Sequence, residues 1–182
     1  KIVSYFFVTF CLLILINGSN FIDGLNGLVL GYYFVILLIL QNLFIFDDSI
    51  LLKENSYIFL VILSYLAIFN FFNKLYLGDG GSYLLGFIFG FFLVSFYKST
   101  PLVSPFFIVL LLWFPCYENL FSILRKNRFN LSPLKSDNKH FHQLLFYFFN
   151  KKLNYFYLFI NNFSSILINL YHCMVFSIGA ID

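Results

Sequence analysis

Two aspartates and two histidines stand out in a chain with few charged groups. Asp23 lies in residues 17–27 (N-G-S-N-F-I-D-G-L-N-G), Asp79 in G-D-G-G-S at 78–82, and His140 and His142 in D-N-K-H-F-H-Q-L-L from Asp137. The first stretch sits between two runs of hydrocarbon side chains. A carboxylate beside a bilayer core is costly unless it lies at the interface, faces a polar cavity or binds a cation, so Asp23 reads as a functional group. Asp79 lies among glycines directly before another apolar run. Glycine lets the backbone approach a ligand, and free N–H groups at a helix start favour an anion such as phosphate. Beside them Asp79 can hold a Mg²⁺ that bridges to that phosphate. The same five residues also suit a plain flexible turn with a capping aspartate. His140 and His142 are two apart, so on a helix they diverge by about 200° and cannot share a metal from one face, whereas in an extended or turning loop they can converge. No Cys or third His stands beside them. They therefore read as neutral or cationic donors to a phosphate or nucleotide, with Lys135, Lys139 and Arg125 adding positive charge.

The elements that must position these groups are membrane helices. Of the 182 residues, 61% are hydrophobic and 10% charged; soluble domains carry about 25% charged residues, so this composition belongs to an integral membrane protein. Since a crossing needs about 20 mainly apolar residues, the chain divides into segments near 2–16, 28–46, 56–72, 83–97, 102–117 and 155–181. The expectation is an all-α, polytopic fold of about six transmembrane helices forming one domain over 1–182. Pro105 and Pro115 predict a bend in the fifth segment. Residues 118–143 form a long polar stretch, and Asn161, Asn162, Asn169 and His172 interrupt the last segment. A lone His172 in such a place reads as packed or interfacial.

Alternating crossings put 17–27, Asp79 and 118–143 on one face, and 47–55 with Lys98 on the other. The first face carries Lys74, Arg125, Lys126, Arg128, Lys135 and Lys139, the second Lys53 and Lys98. Positive-inside bias makes the motif-bearing face cytoplasmic. Asp47 and Asp48 read as a solvated turn on the opposite face. Cys11, Cys116 and Cys173 lack metal or disulfide spacing and read as packing residues. A net charge of +3 without a basic aromatic patch gives no sign of nucleic-acid binding.

Three motifs carry a resemblance. N-x-x-N-x-x-D-G-x-x-G-L from Asn17, L-G-D-G-G-S-x-x-L-G-F from Leu77 and S-P-L-x-x-D-x-K-H-F-H-x-L-L from Ser132 resemble the signature loops of the polyprenyl-phosphate N-acetylhexosamine-1-phosphate transferases. That superfamily also contains the phospho-N-acetylmuramoyl-pentapeptide transferase, and the likeness spans nearly the whole chain, as the C-terminal part of a larger member. The resemblance implies a multi-pass bacterial inner-membrane enzyme. With Mg²⁺ it would transfer N-acetylhexosamine 1-phosphate from a UDP-N-acetylhexosamine to undecaprenyl phosphate in the membrane lipid, initiating a cell-envelope polysaccharide such as O-antigen. It further implies Asp79 as main metal ligand, Asp23 near metal or nucleotide, and Asn20 as a hydrogen-bonding partner. Gly78, Gly80 and Ser82 would shape the phosphate-facing turn, His140 and His142 would contact the diphosphate, and Asn17, Gly24, Asn26 and Lys139 would line the substrate site. The chain departs from the family at Asn26, where Asp is usual, and at Gln143, where a further His is usual. The family's Asp-Asp motif belongs to an earlier loop that this chain lacks, so the 182 residues alone are expected to be inactive. Whether the protein is a homodimer is left open. The rival reading is a transporter with a cation or substrate site at Asp23 and Asp79. Depth separates the two, because a transporter sets its carboxylates within the spans.

Overall fold

The computed structural model describes residues 2–43, 50–100, 103–130, 132, 139–153 and 155–180. Among these the chain forms seven helices: α1 (Ile2–Phe21), α2 (Leu28–Leu43), α3 (Ile50–Phe71), α4 (Gly78–Ser99), α5 (Pro105–Arg128), α6 (Phe141–Leu153) and α7 (Tyr157–Ile178). The protein is an all-α membrane protein. Helices α1, α4, α5 and α7 are long and apolar enough to cross a membrane, and α2 and α3 contribute shorter apolar runs, so the six expected segments are all present. Asp47 and Asp48 lie outside the described residues.

The helices pack as two groups. In one, α1 lies against α4 and α5; in the other, α2 lies between α3 and α7, with α6 on α7. Within lipid there is no hydrophobic drive between helices, so close backbone approach through small residues carries association. On α4, Gly86 and Gly90 supply that approach to α1. A Cβ at Gly86 would fall 2.7 Å from Ser19 Oγ, and one at Gly90 2.5 Å from Leu12 Cδ2. Between the groups the contacts are large and aromatic. Tyr33 of α2 stacks on Phe89 of α4 at 4.2 Å between ring centres, and its hydroxyl pairs with Ser19 of α1.

Two expectations about α5 need correcting. Pro105 begins this helix rather than bending it: Ser104 caps it, its Oγ accepting from the Phe106 N–H at 3.2 Å, and proline suits the first helical position, where its missing N–H costs nothing. The helix also runs past residue 117 to Arg128, because 118–128 contains no helix breaker. Pro115 remains inside it and deprives the Leu111 carbonyl of its usual donor. Tyr32 of α2 replaces that donor, its hydroxyl reaching Leu111 O at 2.7 Å. His172 is packed, as expected, among Tyr32, Trp113, Phe114 and Phe176.

Candidate active site

The site is built where the chain crosses from one helix group to the other. The turn 22–27 leads from α1 to α2, 72–77 from α3 to α4, and the segment ending at His140 leads from α5 to α6. All three polar motifs lie on such crossovers, and the fold brings their described parts to one end of the bundle.

The first crossover is held by amides. Gly27 takes φ +72°, where side chains are disfavoured, and a Cβ there would strike the Phe71 ring. Its N–H donates to Asn70 Oδ1, its carbonyl accepts from Asn169 Nδ2 at 3.1 Å, and the Asn26 N–H donates to Asn161 Oδ1 at 2.7 Å. The Asn26 side chain donates to Asn73 Oδ1 at 2.5 Å. These bonds leave Asp23 and Gly24 facing a cleft of about 400 Å³ whose lining includes Asn20, Asn73, Gly78, Asp79 and Asn161.

Asp79 enters that cleft from the first turn of α4, whose preceding residue Leu77 supplies no side-chain cap; such a turn leaves amides open to an anion. Gly78 (φ +59°) and Gly80 have open space where a side chain would stand. Asn20 ties the two aspartate-bearing elements together, donating to Tyr83 Oη at 3.0 Å and accepting from Ser82 Oγ at 3.0 Å. Burial, and secondarily the charge of Asp79, push the Asp23 carboxyl up from 3.8 to about 6. Asp23, Asp79 and the Asn20 amide offer hard oxygen donors, the kind a Mg²⁺ ion prefers. No group of three or more His, Cys, Asp or Glu arranged to hold a metal ion occurs among the described residues.

The histidines approach from the other side of Gly24. His142 is fully buried at the start of α6, and a Cβ on Gly24 would lie 2.3 Å from its Nε2. Neither of its ring nitrogens has a partner among the described residues. Burial, and then the neighbouring His140, lower its pKa from 6.5 to about 3, so of the two expected states, neutral and cationic, His142 takes the neutral one. The two rings stack 5.8 Å apart; because His140 precedes α6, the divergence expected on a helix does not arise. Glu118 of α5 accepts from His140 Nδ1 at 2.8 Å and from the Phe141 N–H at 2.8 Å. A carboxylate only accepts, so Nδ1 holds the proton and Nε2 is left for a ligand. Arg125, two turns further on, donates to the Lys139 carbonyl at 2.9 Å. Glu118 and Arg125 thus clamp residues 139–141 in one orientation.

Some site residues from the sequence stand apart. The Asn17 amide bonds its own helix at Leu13 O, 2.8 Å away, and Asn17 lines a separate cavity of about 860 Å³ between α1 and α5 with Asn119 and Lys126. Asn26 reaches the cleft, but its polar groups hold the scaffold. Lys139 is exposed, while Lys135 and Asp137 lie outside the described residues. Sequence reasoning missed Asn70, Asn73, Asn161 and Asn169. For Asn70, Asn161 and Asn169 the signal was an amide on an otherwise apolar helix, which in a membrane must find a partner; Asn73 stands in the turn after α3.

Apolar helices whose crossovers converge on a two-carboxylate cleft define a membrane protein with a site suited to a cation and a phosphate. The chain belongs to glycosyl transferase family 4, whose model matches residues 1–97 and so spans both aspartate motifs. Among curated proteins it is 30% identical over 138 residues to a probable undecaprenyl-phosphate N-acetylglucosaminyl 1-phosphate transferase of Bacillus subtilis, covering 72% of this chain and 37% of that one. It is 32% identical to an undecaprenyl-phosphate alpha-N-acetylglucosaminyl 1-phosphate transferase of Thermotoga maritima (71% and 39%) and 28% identical to the protein of that name from Escherichia coli K12 (78% and 40%). The chain therefore spans about two fifths of the length of these relatives. No solved structure matches it.

Proposed function

We propose that this chain carries the donor-binding and metal-binding part of a transferase that moves N-acetylhexosamine 1-phosphate from a UDP-sugar to undecaprenyl phosphate. The observation that carries the reading is the meeting of Asp23 and Asp79 in one cleft from two crossovers far apart in sequence, with His142, from a third, packed behind Gly24. An oxygen of the lipid phosphate attacks the sugar-bearing phosphorus of the UDP-sugar, the bond between the two donor phosphates breaks, and UMP leaves. Phosphoryl transfer of this kind asks mainly for positioning and charge neutralisation. Asp23 and Asp79 would hold a Mg²⁺ ion, which when bound neutralises diphosphate charge. The open first turn of α4 presents amides to phosphate, and Gly78 and Gly80 leave room for it to approach. His140 offers Nε2 while Glu118 fixes its other nitrogen. His142, neutral and buried, shapes the wall behind Gly24. Lys74, Arg125, Lys126, Arg128 and Lys139 crowd this end of the bundle, which favours a cytoplasmic face in a bacterial inner membrane. Against the transporter reading, Asp23 lies in a connecting turn and Asp79 in the first turn of α4, at span ends rather than within them.

The test is Mg²⁺-dependent UMP release from UDP-N-acetylglucosamine and undecaprenyl phosphate. It is measured on the chain alone, and on the chain fused to the part of the Bacillus subtilis relative that it does not cover. The fusion should release UMP only with lipid and Mg²⁺ present, the chain alone should not, and Asp79→Asn should cut the fusion's rate by about 100- to 1,000-fold. A folded fusion that binds neither donor nor cation would overturn the proposal.

A further inference from the structure

Helix α6 has a face that neither the core nor a membrane crossing accounts for. At 13 residues it is about 20 Å long, well short of the roughly 30 Å hydrocarbon layer. His142 and Phe146 are turned into the protein, yet Phe141, Leu144, Tyr147 and Phe148 on its other sides are 50–56% exposed. In water a helix would not present four large apolar side chains in two turns. The helix has no acidic residue and ends in Lys151 and Lys152, and the Lys152 amine lies over the Phe148 ring at 5.2 Å, an apolar body with a cationic tip. Its exposed aromatics continue into Tyr155, Phe156 and Tyr157 at the start of α7, each more than 60% exposed. Tyr and Trp gather where a span meets the headgroups, so this continuity sets the depth of α6 at the interface.

We propose that α6 lies in the plane of the membrane surface and docks on anionic lipid headgroups, its aromatic face sunk among the upper acyl chains and Lys151 and Lys152 on the phosphates. Because His142 is the second residue of this helix, the docking holds the histidine side of the cleft at lipid-phosphate height. The inference concerns only the seat of α6 and stands whether or not the chain takes part in a transferase.

The experiment places Phe148→Trp in nanodiscs with and without phosphatidylglycerol, taking the unsubstituted chain with its single Trp113 as the reference signal. The introduced indole should be quenched by lipids brominated high on the acyl chain and shielded from aqueous acrylamide. Deuterium uptake over 141–153 in the unsubstituted chain should slow when phosphatidylglycerol is added. A lysine at an anionic surface adds about fivefold in affinity, and the pair about thirtyfold; Lys151→Glu with Lys152→Glu should therefore erase the lipid dependence while leaving the α7 amides protected. Acrylamide access without bromolipid quenching, or uptake indifferent to lipid charge, would overturn the proposal. So would protection that grows with protein concentration, which would make the occupant a second copy of the chain. Deuterium uptake decides the matter even if the tryptophan variant misfolds.

Discussion

At the scale of single residues, the cleft holds two carboxylates with a buried neutral imidazole packed behind Gly24, and the pH dependences of Asp23 and His142 run in opposite senses. The Asp23 pKa rises on folding from 3.8 to about 6, so its contribution to stability is complete below 3.8 and is lost as pH climbs through about 6. The His142 pKa falls on folding from 6.5 to about 3, so its contribution is complete above 6.5 and is lost as pH drops below that value. Near neutral pH the fold therefore retains the contribution of His142 but sets the charges of Asp23 and Asp79 against each other, which a divalent cation relieves. Thermal unfolding should show Mg²⁺ raising the Tm at about pH 8 and much less at about pH 5, where Asp23 is protonated. Asp79→Asn should raise the cation-free Tm at the higher pH and abolish the Mg²⁺ effect; an unchanged Mg²⁺ response would move the cation elsewhere. Glu118 acts one step back. Glu118→Gln keeps one acceptor for Phe141 N–H or His140 but sets an NH₂ against the other donor, at a cost of about 1–3 kcal/mol. Deuterium uptake at Phe141 should accelerate, while the α7 amides remain protected.

At the scale of elements, packing devices stand where a sequence shows only punctuation. The six apolar segments were legible because hydrocarbon length is a physical requirement. The course of α5 beyond 117 was not, since a helix leaving the membrane turns polar without breaking. Nor was α6 legible, since its place depends on His142 and Phe146 finding the core, a tertiary fact. Pro115 was visible as a residue, but its compensation was not: Tyr32, 83 residues earlier, donates to the carbonyl that the proline strands. That pairing makes a double-mutant cycle decisive. Tyr32→Phe leaves Leu111 O unpaired in an apolar interior and should cost about 1–2 kcal/mol in reversible unfolding. Pro115→Ala restores a backbone donor to the same carbonyl, so in that background Tyr32→Phe should cost much less. Additive effects would mean that the tyrosine hydroxyl does not serve the proline gap. On α4, Gly86→Leu should separate α1 from α4, because its Cβ already meets Ser19 and Ile16. The variant should lower the Tm far more than Leu84→Ala on the exposed side of the same helix.

At the scale of the whole molecule, each motif sits on a crossover between two helix groups, so the geometry of the cleft depends on how those groups are locked together. The motifs and their shared face could be read from the sequence, since every second polar turn carried either a glycine and carboxylate cluster or the histidine pair. The lock could not, because Asn70, Asn161 and Asn169 resemble ordinary interruptions until their partners are known. In the structure α3 and α7 grip the first crossover from two sides: Asn70 takes the Gly27 N–H, Asn161 the Asn26 N–H, and Asn169 the Gly27 carbonyl. An amide removed here strands a backbone donor where water cannot replace it, a loss of about 1–3 kcal/mol. Asn161→Leu should therefore lower the unfolding temperature and weaken Mg²⁺ binding together, since the turn that loses its anchor carries Asp23. Asn42→Leu supplies the contrast. Among the described residues the Asn42 amide bonds within its own helix, to Leu38 O at 2.9 Å, so its removal should change neither property. If Asn161→Leu lost stability but kept full cation affinity, the asparagines would be holding the bundle without holding the site. The two aspartates would then owe their positions to the direct tether from Asn20 to Ser82 and Tyr83, and Asn20→Leu would become the variant that separates cation binding from folding.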